Sequence, residues 1–142
     1  MVDRRIINPC KVWAGLGRVL QLVSRVLIAD DNALIRRQIR NILELDGSLF
    51  ICAEAENGLE AVEKAQECGA DVCVIDVVMP VMDGLRATRE IKANAPGTRI
   101  LIFAFDSSRQ LEWESKQAGA DAVLAKDGSA RLAAVVHGLA AA

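Results

Sequence analysis

From Arg25 onward, short apolar runs of strand length alternate with stretches of helical periodicity, and five such units follow one another. That alternation is the pattern of repeated strand-helix units, so the expected class is α/β with a parallel sheet. Three runs end on charged side chains. Val26-Leu27-Ile28-Ala29 is followed by Asp30 and Asp31, Val72-Cys73-Val74-Ile75 by Asp76, and Ala122-Val123-Leu124-Ala125 by Lys126. In a parallel sheet the carboxyl ends of the strands share one edge, and open α/β sheets place their ligands at that edge. The chain therefore predicts an acidic pocket holding one cationic side chain.

Helix signals fill the intervals between the runs. Asn32 is a competent cap for a helix with Ile35, Ile39, Ile42 and Leu43 on one face, and Gly47 is its expected stop. A strand over about Leu49–Ala55 leads through Asn57-Gly58 into a helix with Leu59, Val62 and Ala65 inward, a Glu60–Lys64 pair one turn apart, and Gly69 as its stop. Gly84 opens a third helix with Leu85, Thr88 and Ile91 inward, broken at Pro96-Gly97 before a strand over Ile100–Phe103. A fourth helix is expected from near Ser108 to Ala118, with Leu111 and Ser115 inward and Trp113 outward. Ser129 is the expected cap of a fifth, which stacks Leu132, Val135, Val136 and Leu139.

At 142 residues and 52% hydrophobic composition, the chain is the size of one ordinary domain with enough apolar side chains to fill a core. Seventeen Lys and Arg against nineteen Asp and Glu leave a net charge of −2, without the basic footprint of a nucleic-acid binder. Cys10, Cys52, Cys68 and Cys73 form no Cys-x-x-Cys pair; Cys52 and Cys73 fall in apolar runs, and reduced thiols in a cytoplasmic protein are expected. Residues 1–24 read as an N-terminal extension, flexible or a short helix, with 25–142 as the folded domain. Within the extension Arg18 and Gln21 interrupt the apolar stretch and no small-x-small site closes it, which argues against a signal peptide or a membrane span. Val12, Leu16, Val19, Leu20 and Val23 recur at helical spacing, against Gly15 and Gly17. Gly15-Leu16-Gly17 mimics a dinucleotide fingerprint, but Leu20 occupies the third glycine's place and no strand precedes it.

Each charged residue also has an ordinary reading as a cap or solvated turn. Together, however, three acids from two strand ends repel one another, which calls for a cation or for raised pKa values. Hard oxygen ligands with vacant positions suit Mg²⁺. Lys126 stands just before a helix N-terminus, where the helix dipole disfavours a cation, so a compensating anion is expected beside it.

Taken in order, these residues resemble the receiver domain of bacterial two-component response regulators. The resemblance spans Arg25 to His137 and rests on Val26 to Asp31, Glu54-Ala55-Glu56-Asn57-Gly58-Leu59-Glu60-Ala61, Asp76 to Gly84, and Gly119 to Asp127. The Glu-Ala-x-Asn-Gly segment and the Lys-Asp ending look like the subgroup that precedes LuxR/NarL-type helix-turn-helix domains, a domain not expected within these residues. The resemblance implies a flavodoxin-like (βα)5 doubly wound sheet with strand order 2-1-3-4-5. It implies a phosphoacceptor, not an enzyme acting on other substrates, in which Asp76 takes a phosphoryl group from a histidine kinase or phosphotransfer protein. Mg²⁺ would be held directly by Asp31, Asp76 and the main-chain carbonyl of Val78, and by Asp30 through water. Lys126 would pair first with Asp76 and then with a phosphoryl oxygen.

The chain departs from the family at two positions. Where receivers carry a Thr or Ser hydroxyl stands Ala104, and where they carry the aromatic ring of the switch stands Val123. Ser107 or Ser108 is a candidate substitute hydroxyl if its loop folds inward. The alternative function is a pseudo-receiver, a phosphorylation-independent binding or dimerisation module. A phosphohydrolase of the haloacid dehalogenase kind is disfavoured, because it wants an acid two residues after the nucleophile and Val78 stands there. The resemblance implies an interaction surface around the fourth and fifth helices and the fifth strand, with Trp113 and Arg131 on or near it, and a homodimer or an output-domain partner as its occupant.

Overall fold

The computed structural model describes residues 23–142; the expected extension over 1–24 lies almost wholly outside the described residues. Five strands, β1 (Ser24–Ala29), β2 (Leu49–Ala55), β3 (Val72–Ile75), β4 (Arg99–Ala104) and β5 (Ala122–Ala125), form one parallel sheet in the order β2-β1-β3-β4-β5. Each strand is followed by a helix, in order α1 (Ala33–Glu44), α2 (Gly58–Cys68), α3 (Gly84–Asn94), α4 (Arg109–Ala118) and α5 (Leu132–Ala141). This is the expected doubly wound arrangement. Alternate strand residues point to opposite faces, so the core divides in two. Val26, Ile28, Val74 and Leu101 meet Ile39, Leu43, Leu132 and Val136 of α1 and α5. Leu27, Ala29, Ile75 and Ile102 meet Ala61, Ala65 and Ile91 of α2 and α3 on the other side. No helix among the described residues is long and apolar enough to cross a membrane.

The side chains of Asn32, Asn57, Asp83 and Ser108 accept backbone N–H groups at the starts of the first four helices. Three local expectations are corrected. Helix α1 stops at Glu44 with Leu45 as its cap, ahead of Gly47. Leu59 is exposed, and the inward face of α2 is formed by Ala61 and Ala65, small residues that let the helix lie close to the sheet. Ser129 caps nothing, because a 3-10 turn over Lys126–Arg131 precedes α5.

The reduced-thiol expectation is also corrected for one pair. Cys52 and Cys68 are joined as a disulfide, their Cα atoms 6.1 Å apart, within the span that a bridge accommodates. Cys52 is the residue that the β1–β2 ladder skips: Val26 pairs with Ile51 and Leu27 with Ala53. This bulge removes Cys52 from the regular ladder position that a strand reading assigns to it. Cys73 is a free buried thiol whose pKa is pushed up to about 12 by burial, and it acts as a neutral packing group. Cys10 lies outside the described residues.

Candidate functional site

The carboxyl edge of the sheet collects the charged strand ends. Asp30, which follows β1, is 1% exposed. Its Oδ1 accepts the Asn32 N–H at 2.9 Å, its Oδ2 accepts Lys126 Nζ at 2.7 Å, and its carbonyl accepts the Arg36 guanidinium at 2.7 Å. Asp76, following β3, is 8% exposed; its backbone N–H donates to Ala29 at 2.9 Å and its Oδ1 accepts the Val77 N–H at 2.9 Å. Asp31 is exposed at the mouth. Carboxylate oxygens of Asp30, Asp31 and Asp76 lie within 4.8 Å of one another.

Lys126, the first residue after β5, places Nζ 2.7 Å from Asp30 Oδ2 and 3.4 Å from Asp76 Oδ1, with its side chain 7% exposed. The expected anion beside this lysine is thus a pair of aspartates. One ammonium does not neutralise three acids. Burial pushes the Asp76 carboxyl above its ordinary value and the Asp30 charge adds to this, while the Lys126 ammonium and the Val77 N–H pull it back. Closely set hard oxygens carrying surplus negative charge fit a divalent cation such as Mg²⁺.

The β3–α3 loop is held against this cluster by two glycines. A Cβ on Gly84 would fall inside contact distance of the Asp76 carbonyl oxygen, and one on Gly58 inside that of Met82. The Gly84 N–H donates to Val77 at 2.8 Å and the Gly58 N–H to Met82 at 2.9 Å. Only residues without side chains permit these approaches. Val78 projects into solvent from the same loop and, with Asp31, Asp76, Ala104, Phe105 and Ser108, lines an open cavity of about 530 Å³. Ala104 is buried and shares an apolar cluster with the partly exposed Val123. Ser107 and Ser108 lie in an exposed stretch, and the Ser108 hydroxyl oxygen accepts the Leu111 N–H at 3.1 Å as a helix cap. Trp113 and Arg131 are both exposed.

Two contributors escape a reading of the sequence. The Phe105 ring centroid lies 4.3 Å from Lys126 Nζ. Arg36 and Arg40 of α1 grip Glu54 at the end of β2, at 3.3 Å and 2.7 Å, and so brace the strand beside Asp30. Both are contacts between residues far apart in sequence, and neither has a local motif.

A family model described as the response regulator receiver domain matches residues 26–137. The chain is 38% identical over 105 residues to the chemotaxis protein CheY of Bacillus subtilis (strain 168), covering 74% of this chain and 87% of that one. It is 44% identical over 110 residues to a protein-glutamate methylesterase/protein-glutamine glutaminase of Carboxydothermus hydrogenoformans, covering 76% of this chain. The match takes in 31% of that relative, so the chain spans under a third of its length. Among solved structures, the signal receiver domain of the putative response regulator NarL from Mycobacterium tuberculosis superposes with a TM-score of 0.80 at 28% identity, covering 84% of this chain and 97% of that one.

Proposed function

The chain belongs to the response regulator receiver domain family of two-component signalling, and from that membership we propose that it is a phosphoacceptor, with Asp76 as the residue that carries the phosphoryl group. The supporting observation is the pairing of a nearly buried Asp76 with the Lys126 ammonium at 3.4 Å inside a cluster of three carboxylates. Asp76 attacks the phosphorus of a phosphohistidine on a histidine kinase or phosphotransfer protein. An oxygen–phosphorus bond forms on Asp76 as the nitrogen–phosphorus bond of the donor breaks. Lys126, already desolvated, transfers its ammonium from Asp76 to a phosphoryl oxygen, the kind of positioned charge on which phosphoryl transfer depends. Asp31, Asp76 and the Val78 carbonyl would hold Mg²⁺ directly, with Asp30 acting through water. When bound, the ion offsets the negative charge shared by the carboxylates and the phosphoryl oxygens. The proposed setting is the cytoplasm, with output through a partner protein, a second copy or a domain outside these residues.

Ala104 and Val123 favour a second reading, a pseudo-receiver that binds partners without switching, because neither supplies the hydroxyl or the ring of the family's switch. One experiment separates the two. The protein is incubated with Mg²⁺ and acetyl phosphate and weighed by intact mass spectrometry, with Asp76→Asn as control. One added phosphoryl group that is absent from the variant is the expected result; a folded protein that gains none makes the pseudo-receiver the better account.

A further inference from the structure

We infer that Phe105 is a positioning residue for Lys126, its ring face holding the ammonium against the carboxylate cluster; this rests on the phosphoacceptor reading above. Ala104 and Ala125 are the last paired residues of β4 and β5. Phe105 and Lys126 therefore leave two neighbouring strands at matching positions, one step beyond the ladder, where adjacent chains are about 4.8 Å apart. The ring centroid lies 4.3 Å from Nζ, which is also 2.7 Å from Asp30 Oδ2 and 3.4 Å from Asp76 Oδ1.

Core burial does not explain where the ring sits. Phe105 is 76% exposed, whereas the Lys126 side chain is 7% exposed. The negative face of an aromatic ring attracts a cation, and here it contacts the one that pairs with Asp76. Phe105 and Lys126 also line a groove of about 670 Å³ beside Ile35, Ile39 and Ile42 of α1, while Phe105 lines the cavity over Asp76 as well. The ring thus stands between the two spaces. With Asp30 and the ring both retaining Nζ, the lysine chain has fewer orientations to lose when a phosphoryl oxygen arrives.

The competing account makes Phe105 a steric cover, and isosteric variants separate the two. The full chain is compared with Phe105→Leu, which keeps bulk without a π face, and with Phe105→Tyr and Phe105→Trp, which keep the face. The first readout, taken without phosphodonor, is the proton shift of the Lys126 side-chain methylenes. Ring current is expected to move these upfield in the parent and both aromatic variants and to leave them at ordinary values in Phe105→Leu. The second is the rate of phosphoryl addition from acetyl phosphate with Mg²⁺, expected to fall about two- to fivefold in Phe105→Leu and to return to near the parent rate with Tyr or Trp, at unchanged melting temperature. Absence of the upfield shift in the parent overturns the proposal. So does a Phe105→Leu variant that reacts as fast as the parent or faster, which makes the ring a cover. If the parent gains no phosphoryl group, the phosphoacceptor reading falls, and the Lys126 shift with its loss in Phe105→Leu still decides whether the ring holds the amine.

Discussion

At Asp76, burial and the neighbouring Asp30 charge raise the carboxyl pKa more than Lys126 and the Val77 N–H lower it. Between its unfolded and folded values the native state holds a proton that the unfolded state has released, so this group's contribution to stability falls as pH rises through that window. Asp76→Asn is therefore expected to raise the melting temperature near pH 7 without Mg²⁺. The gain should shrink on acidification toward the ordinary carboxylate range. Calorimetry of both proteins across pH checks this, and a gain that grows in acid contradicts it. Val81 carries a second residue-scale cost. Its φ of 68° is left-handed, it is 76% exposed, and the Met82 N–H donates to Pro80 across it at 2.7 Å. A β-branched side chain is a poor occupant of that region, whereas Asn tolerates it. Val81→Asn should stabilise by about 1 kcal/mol, read as the shift in a urea midpoint at unchanged slope. Asp30, Asp76 and Lys126 were legible in the sequence because an apolar run ending on a charge fixes where that charge surfaces. The turn at Val81 and the ring at Phe105 were not, since backbone and side-chain torsions leave no periodic trace.

The element on which the site most depends is the β3–α3 loop, because Gly84 lets the start of α3 rest on the Asp76 backbone. Gly84→Ala should force the helix away from Asp76, costing about 1–3 kcal/mol and, on the proposed phosphoacceptor reading, slowing phosphoryl addition. Gly97, where an added Cβ would meet nothing within 4 Å, is the control; Gly97→Ala should lie within about 0.5 kcal/mol of the parent. Equal melting temperatures for the two variants would remove the packing argument. Helix starts were legible at Asn32 and Ser108 because a capping side chain acts locally. Ser129 misled for a related reason: a Ser before an apolar stretch looks the same whether the chain enters an α-helix directly or first makes a 3-10 turn. Leu59 misled because helical spacing admits two neighbouring faces, and contact with the sheet selected the one bearing Ala61 and Ala65.

Across the whole molecule, the sheet separates two apolar layers, and Ala104 and Val123 fall in the same one, with α2, α3 and α4. Their shared face follows from the β4–β5 register, in which Ala104 pairs with Ala125, two residues beyond Val123. The parallel sheet was legible from the alternation of runs, and the strand order from the family resemblance; the Cys52–Cys68 bridge was hidden because its position depends on a bulge in β2. On the proposed reading, a phosphoryl group on Asp76 still needs a route to the α4–β5–α5 face that the family resemblance implies, and neither the methyl of Ala104 nor the branched chain of Val123 offers a hydrogen bond to carry one. Restoring both partners tests this. A hydrogen bond to a charged group is worth about 1.5–3 kcal/mol, which corresponds to roughly a tenfold to hundredfold change in a two-state population. Ala104→Thr combined with Val123→Tyr, the latter at a partly exposed position, should enlarge the phosphoryl-dependent shifts of amide resonances on that face. The comparison uses two-dimensional NMR spectra of parent and double variant with and without Mg²⁺ and a phosphoryl mimic. If the shifts are no larger in a folded double variant, the missing hydroxyl and ring are not what limits switching, and the conformational output of this receiver must run through other contacts of Asp76.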